Sequence, residues 1–313
     1  MISVGMIGTG IIAPNHLNAI RQHPDTTLVA VSDLVIERAK NAAEPFNAAV
    51  YTDYHEMLQK EKLDIVIINL PHALHEECTI ACAKHHVNIL LEKPMSVSAE
   101  SCRRMIDACK EANVLLQIGH VQRYMPENRA CRDIIESGEL GDLVMINDMR
   151  TTNYFTPSRP KWFLSKEMAG GGIWMNYGAH ALDKLCYLTG SRISSVTGSC
   201  TYHNAQCDVD GSAHVFAQTE SGITDTITIC GYSVVPVYET MIYLTKGSLR
   251  MLNGDGLWKT SGDTYERIDT SSYPNPFIAQ WEDFIDGVQH GKVKNCSGEY
   301  AAEIISHIES IWV

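Results

Sequence analysis

Over the first 120 residues, short runs of almost unbroken apolar residues alternate with stretches of helical spacing. Ile2–Ile7, Thr27–Ser32, Ile65–Asn69, Asn88–Leu91 and Val114–Ile118 read as strands buried on both faces, because neither face keeps a polar alternate. Ile11–Arg21, Val35–Ala43, Tyr54–Lys60, Ala73–His85 and Ala99–Ala112 read as the intervening helices, and Asp53 with Glu56 offers one of them a capping box. This alternation predicts a doubly wound parallel sheet. Beyond residue 122 the pattern changes. A helix over Glu127–Ser137 leads into the extended Leu143–Thr152, followed by strand-like runs at 193–203, 209–219, 222–230, 236–245 and 248–252. Short turns such as Glu220-Ser221-Gly222 between such runs predict a large, mostly antiparallel open sheet. Helical patterns over Phe277–Gln289 and Gly298–Trp312 close the chain. The expectation is therefore an α/β fold of two domains, 1–121 and 122–313, with the closing helices packing back toward the first.

The opening strand runs into Gly8-Thr9-Gly10-Ile11-Ile12-Ala13, a G-x-G-x-x-A turn at the mouth of a helix. The first glycine permits the tight turn, the second lets backbone approach a pyrophosphate, and the helix N-terminus offers amides to the anion. Asp33 closes the next strand, where a carboxylate would accept from an adenosine ribose and repel a 2′-phosphate. Together these make 1–121 a Rossmann domain that binds NAD in preference to NADP.

Composition narrows the partners. The 313 residues are 45% hydrophobic and 20% charged with a net charge of −12, which disfavours nucleic acid and anionic membranes. No apolar run approaches the roughly 20 residues that span a bilayer. The N-terminus enters a strand without a basic leader, and ten cysteines lack a CxxC pair, so a cytoplasmic protein with reduced thiols is expected. The chain ends at Val313 soon after its last helical pattern. His75, Cys78 and Cys82 share helical spacing, but too few ligands accompany them for a metal site, and no metal is expected.

A further signal sits at the end of the fifth strand. Glu92-Lys93-Pro94 puts a lysine at the carboxyl end of a parallel strand, where ligands of such sheets bind. Placed between the Gly8/Gly10 turn and an antiparallel sheet, this triplet resembles the Gfo/Idh/MocA family of glucose-fructose oxidoreductase and inositol dehydrogenase-like enzymes. The segment from Leu70 to His75 is similar to the family's threonine-proline-asparagine-x-x-histidine, with Leu70 and His72 departing from it. Gln122-Arg123-Tyr124-Met125-Pro126 resembles the run that leaves the last Rossmann strand, and Gly170-Gly171-Gly172 with Asn176, Gly178, His180 and Asp183 resembles the glycine-rich entry to a catalytic helix. Trp162 resembles a tryptophan often seen before that glycine run. Relatives usually carry a longer tail, which implies a shortened C-terminus here.

The resemblance implies hydride transfer between a nicotinamide and a secondary hydroxyl or ketone of a sugar, cyclitol or sugar derivative. Lys93 and His180 would act on that oxygen, with Asn176 beside them. Gly8, Gly10, Ile11, Ile12, Asp33, Asn69, Pro71, His75, Glu92 and Lys93 would hold the cofactor. Arg123, Tyr124 and Trp162 would join Lys93, Asn176 and His180 around the substrate. An imidazole suits the proton transfer because it titrates near neutrality. Asn176 stands where many relatives have aspartate, and losing that charge favours a substrate that carries its own carboxylate or phosphate. Two other activities fit such a chain: a sugar sensor that binds NAD without turnover, and a glycosidase that uses NAD for transient oxidation and elimination. A homodimer or homotetramer through the open sheet face is expected.

Overall fold

The computed structural model describes residues 1–252 and 254–312, so the expected end of the second domain at Val313 lies outside the described residues. The chain divides into two compact units: Met1–Val121 with Phe277–Glu303, and Gln122–Pro276 with Ile304–Val313. Where the sequence pattern suggested one boundary, the chain changes unit three times.

The first unit is built on a parallel sheet of order β3-β2-β1-β4-β5-β6. Its elements are β1 (Ile2–Ile7), α1 (Ala13–Gln22), β2 (Thr26–Ser32), α2 (Ile36–Ala43), β3 (Ala49–Tyr51), α3 (Tyr54–Lys60), β4 (Ile65–Ile68), α4 (His75–Lys84), β5 (Asn88–Glu92), α5 (Ala99–Glu111) and β6 (Leu116–Gly119). All four residues of β4 are buried, as the unbroken apolar run implies. Helix α1 starts two residues later than its pattern suggests, with Pro14 in its first turn, because Gly10–Ile12 are used in the turn before it. The capping box at α3 is half formed: Asp53 accepts from the His55 amide, while Glu56 pairs with Lys60 instead of reaching back. Strand β3 escaped the sequence reading because it is only three half-buried residues at the sheet edge.

The C-terminal helix α9 (Pro276–His290, numbered last but one in the chain) gives most of its length to this unit. Trp281, Phe284 and Ile285 join the core of Val4, Met6, Leu28 and Ile67, and the Trp281 indole donates to Thr26 Oγ1 at 3.3 Å.

The second unit contains α6 (Pro126–Ser137), β7 (Leu143–Asn153), α7 (Lys166–Ala169), α8 (Ala179–Thr189), β8 (Ile193–Thr201), β9 (Ser212–Thr219), β10 (Thr224–Cys230), β11 (Tyr232–Leu244), β12 (Gly247–Leu252), β13 (Gly256–Ser261) and β14 (Thr264–Ile268). The sheet order is β14-β13-β12-β11-β7-β10-β9-β8. It is antiparallel except where β7 runs parallel to β10, as the long connection between these strands allows. Helix α8 covers one face, and its residues Leu182, Leu185 and Cys186 are buried. On the opposite face Met149, Phe216 and Val237 are exposed. The β13–β14 hairpin was missed because β14 is polar and almost wholly exposed. No described helix is long and apolar enough to cross a membrane.

Beneath α8 lies a buried charge cluster. Lys184 Nζ is 2.5 Å from Asp148 on β7 and donates to Thr240 Oγ1 on β11 at 2.5 Å. Burial alone would lower the Lys184 ammonium, but the Asp148 carboxylate beside it outweighs this and raises it. Asp225 on β10 is also buried, and desolvation followed by the charge of Asp148 pushes its carboxyl well up. Asp148 therefore serves as the ion-pair partner of Lys184, and burial beside it favours the protonated form of Asp225.

Asp148→Asn is expected to cost about 3–5 kcal/mol by stranding a buried ammonium. Asp225→Asn replaces one neutral group by another and should stay within about 0.5 kcal/mol near pH 4. The folded state retains the Asp225 proton that the unfolded chain releases above about pH 4, so this contribution is complete at low pH and fades as pH rises toward the folded-state value. Thermal melts from about pH 4 to 8 should thus show the wild type falling relative to Asp225→Asn. Parallel curves would mean that Asp225 is ionised in the fold.

Candidate functional site

In the first unit the turn after β1 is shaped by what its glycines face. Gly8 has φ +87°, and a Cβ there would lie 2.5 Å from the Asn69 carbonyl oxygen. Gly10 differs: nothing stands within 4 Å of where its Cβ would be. The chain therefore needs Gly8 for its own packing, whereas Gly10 keeps open the space a pyrophosphate would fill. Ile12 sits at the N-cap of α1 and Ile11 is 83% exposed, so their backbone lies at the helix N-terminus.

Asp33 at the end of β2 accepts from the Thr9 amide and hydroxyl and from the Val35 amide, each at 2.8 Å, and lies 3.3 Å from Arg38. Burial acts to raise its carboxyl, but these donors and the Arg38 charge together hold it below its usual range. Asp33 thus stays ionised and pins the turn after β1 through Thr9. Thr9 and Arg38 were not singled out from sequence, where nothing marks them as partners of Asp33.

At the end of β4, Asn69 Nδ2 donates to the Gly8 carbonyl at 3.2 Å, and its buried Oδ1 has no hydrogen-bond partner. Pro71 leads into the short turn before α4. His75 departs from the expected cofactor contact. It is fully buried, with Nε2 2.8 Å from the Leu70 carbonyl and Nδ1 3.1 Å from the Met95 carbonyl. Both ring nitrogens are occupied by backbone, so His75 holds the loop after β4 against the segment that follows Lys93. Cys78 and Cys82 are buried in α4, and no metal-ligating cluster occurs among the described residues. Glu92 is 2.8 Å from His16 Nε2 on α1 and accepts from the Lys93 amide at 3.2 Å. Its charge is spent on fixing the end of β5, from which Lys93 extends.

In the second unit the glycine run is clamped by Asp210. Its carboxylate accepts from the Gly172 and Trp174 amides at 2.7 Å each, and a Cβ on Gly172 would meet the Asp210 carbonyl oxygen at 1.9 Å. Trp174–Gly178 then forms a π turn ahead of α8. Asn176 and His180 are both buried on this entry segment. Tyr154 is also buried, and desolvation pushes its phenol up. Arg123, expected at the substrate, donates Nε to the buried Asp183 at 2.6 Å. That pairing matches its charge and makes it a support for α8. Tyr124 is half-buried beside it, and Trp162 stacks on Phe163 with ring centroids 3.7 Å apart.

Residues 2–120 match the model of an oxidoreductase family with an NAD-binding Rossmann fold, and residues 128–250 match a GFO/IDH/MocA C-terminal domain. The chain belongs to the GFO/IDH/MocA family. The family model over its first part is NAD-binding, and the open cradle at Gly10 and the orphaned Asn69 oxygen fit that cofactor. A myo-inositol 2-dehydrogenase of Thermotoga maritima is 26% identical, covering 95% of this chain and 91% of its own. A 2,7-anhydro-N-acetylneuraminate hydratase of Mediterraneibacter gnavus is 26% identical over 83% of this chain and 70% of its own. The match to an uncharacterized oxidoreductase of Streptococcus pneumoniae, 28% identical, spans 70% of this chain but only 59% of that relative. Among solved structures, an aldose-aldose oxidoreductase from Caulobacter crescentus shares the fold with a TM-score of 0.90 at 20% identity, covering 99% and 96% of the two chains.

Gly10→Val is expected to weaken NAD binding about tenfold or more while changing stability by less than about 0.5 kcal/mol, because only ligand space is filled. Gly8→Ala should lower both affinity and melting temperature. Titration calorimetry with NAD beside thermal melts checks the contrast, and equal destabilisation by both changes would remove the assignment of Gly10 to the ligand.

Proposed function

We propose that this family member oxidises a secondary hydroxyl of a sugar, cyclitol or sugar derivative, or runs the reverse reduction. The observation that carries the proposal is Lys93 at the carboxyl end of β5, in the same parallel sheet whose β1 ends in the Gly8–Gly10 turn. Ligands of such sheets lie at those strand ends. The myo-inositol 2-dehydrogenase relative supports the substrate class.

NAD, which the turn after β1 with Gly8 and Gly10 would hold, would supply the acceptor for a hydride from the carbinol carbon. The hydroxyl proton must leave as that hydride does, and in this reading His180 takes it while the Lys93 ammonium holds the oxygen. The products are a ketone, NADH and one proton. Asn176, buried on the segment that enters α8, offers the substrate an amide instead of a carboxylate. Tyr124 and Trp162 supply polar and aromatic contacts on the substrate side. The relative named a hydratase favours a second reading, in which NAD is reduced and reoxidised within one turnover. A sensor that binds NAD without turnover is the third.

Incubation with NAD and a panel of sugars and cyclitols, following nicotinamide absorbance and released product together, separates these. Stoichiometric NADH supports the dehydrogenase; product without net NADH supports the transient oxidation; NAD binding with neither supports the sensor. Lys93→Ala and His180→Ala are each expected to lower kcat by about 10²–10⁴. Retention of wild-type kcat in either would remove that residue from the chemistry.

We also assign the exposed sheet face with Met149, Phe216 and Val237 to a homodimer or homotetramer, since such a face left in water favours association. Light scattering should show an oligomer that Phe216→Glu reduces toward monomer; a monomeric wild type would overturn this assignment.

A further inference from the structure

Arg150 on β7 points to the sheet face covered by α8, in line with Ile146 and Asp148. Its guanidinium lies 3.5 Å from the centre of the Tyr177 ring and 4.6 Å from that of Tyr238, which faces it across β11. Tyr238 is itself held, donating its hydroxyl to Gln122 at 2.8 Å. Two aromatic faces thus fix a half-buried cation. What Arg150 lacks is an anion. No described carboxylate pairs with it, and its Nη1 is buried without a hydrogen-bond partner. The carboxylate two residues away, Asp148, belongs to Lys184. Arg123 and Arg250 of the same unit, by contrast, have Asp183 and Glu239.

A guanidinium drawn partly out of water with an unmatched N–H is costly unless an anion completes it. Tyr177, which stacks on it, directly follows Asn176 and lies three residues before His180. The unmatched cation therefore neighbours the segment to which the hydride-transfer reading gives the substrate. We propose that Arg150 recognises a carboxylate on the substrate, so that the enzyme prefers sugar acids over neutral sugars; the inference rests on that reading for the identity of the site. The planar guanidinium suits the two oxygens of a carboxylate. A phosphate dianion would call for a second cation at the guanidinium; Lys184, which shares the Tyr238 ring with Arg150, is paired with Asp148, and Arg159, one ring further on, is turned to the Tyr154 carbonyl. The amide at Asn176 is consistent with this, because an aspartate there would repel the incoming charge.

The test uses the NAD-loaded enzyme and methyl glycosides of glucuronic and galacturonic acid, their neutral counterparts and the matching sugar 6-phosphates. Affinity is measured by calorimetry and turnover by NADH formation. At least one uronate should bind about tenfold or more tighter than its neutral match. Arg150→Gln should lower that ratio about tenfold, and Arg150→Lys should restore part of it. Asn176→Asp should lower the same ratio by repulsion, which gives a reading even if Arg150→Gln fails to fold. The proposal is overturned if no uronate outbinds its neutral match, if a 6-phosphate is preferred, or if neither substitution moves the ratio. Arg150-dependent uronate binding without NADH would support the anion site while sinking the dehydrogenase reading.

Discussion

Ionised side chains withdrawn from water must be met by opposite charge or by a set of donors, and that constraint organises both units. Asp33 gathers the Thr9 amide, the Thr9 hydroxyl and the Val35 amide, and in doing so sets the phosphate turn. Glu92 meets His16 and fixes the strand end that presents Lys93. Asp210 collects two amides of the glycine run, Asp183 holds Arg123, and Asp148 holds Lys184. Most of these pairs have no chemistry of their own. They place the backbone from which the reactive groups extend, so the geometry of the site follows from electrostatics a shell further out.

The architecture was legible where burial is two-sided or the spacing is long. Strands such as Ile65–Ile68 cannot be mistaken, because every residue is apolar and every residue is buried. Short edge elements escaped for the opposite reason: β3 and β14 are partly or largely exposed, so no strong pattern is demanded of them. The membership of α9 in the Rossmann unit is a tertiary fact. An amphipathic stretch states that it needs a partner surface, but nothing local in Phe277–Gln289 says that Trp281 would meet Thr26, more than 250 residues earlier.

The site divides along the same line. Residue types were readable: glycines where a Cβ would collide or crowd a ligand, a lysine at a strand end, a histidine on a helix. Their partners were not. Nothing in the sequence shows that both nitrogens of His75 meet backbone carbonyls or that Arg123 pairs with Asp183. The π turn at Trp174–Gly178 is likewise invisible in sequence, since its widening accompanies the clamp that Asp210 applies from a distant loop.

Applied to the second unit as a whole, the charge-matching constraint turns an absence into a specificity argument. A carboxylate at position 176 would place a negative charge one residue from Tyr177, whose ring covers Arg150, and could have served as the anion that this cation lacks. With asparagine there, the buried amide contributes no charge. Arg150 is left with two aromatic faces and an unmatched N–H, while Lys184, Arg123 and Arg250 have their acids. A neutral polyol would leave that cost in place in the bound complex; a substrate that carries its own carboxylate removes it. The missing charge at Asn176 and the unpaired cation at Arg150 are thus two sides of one electrostatic balance, and the substrate is the component that can close it.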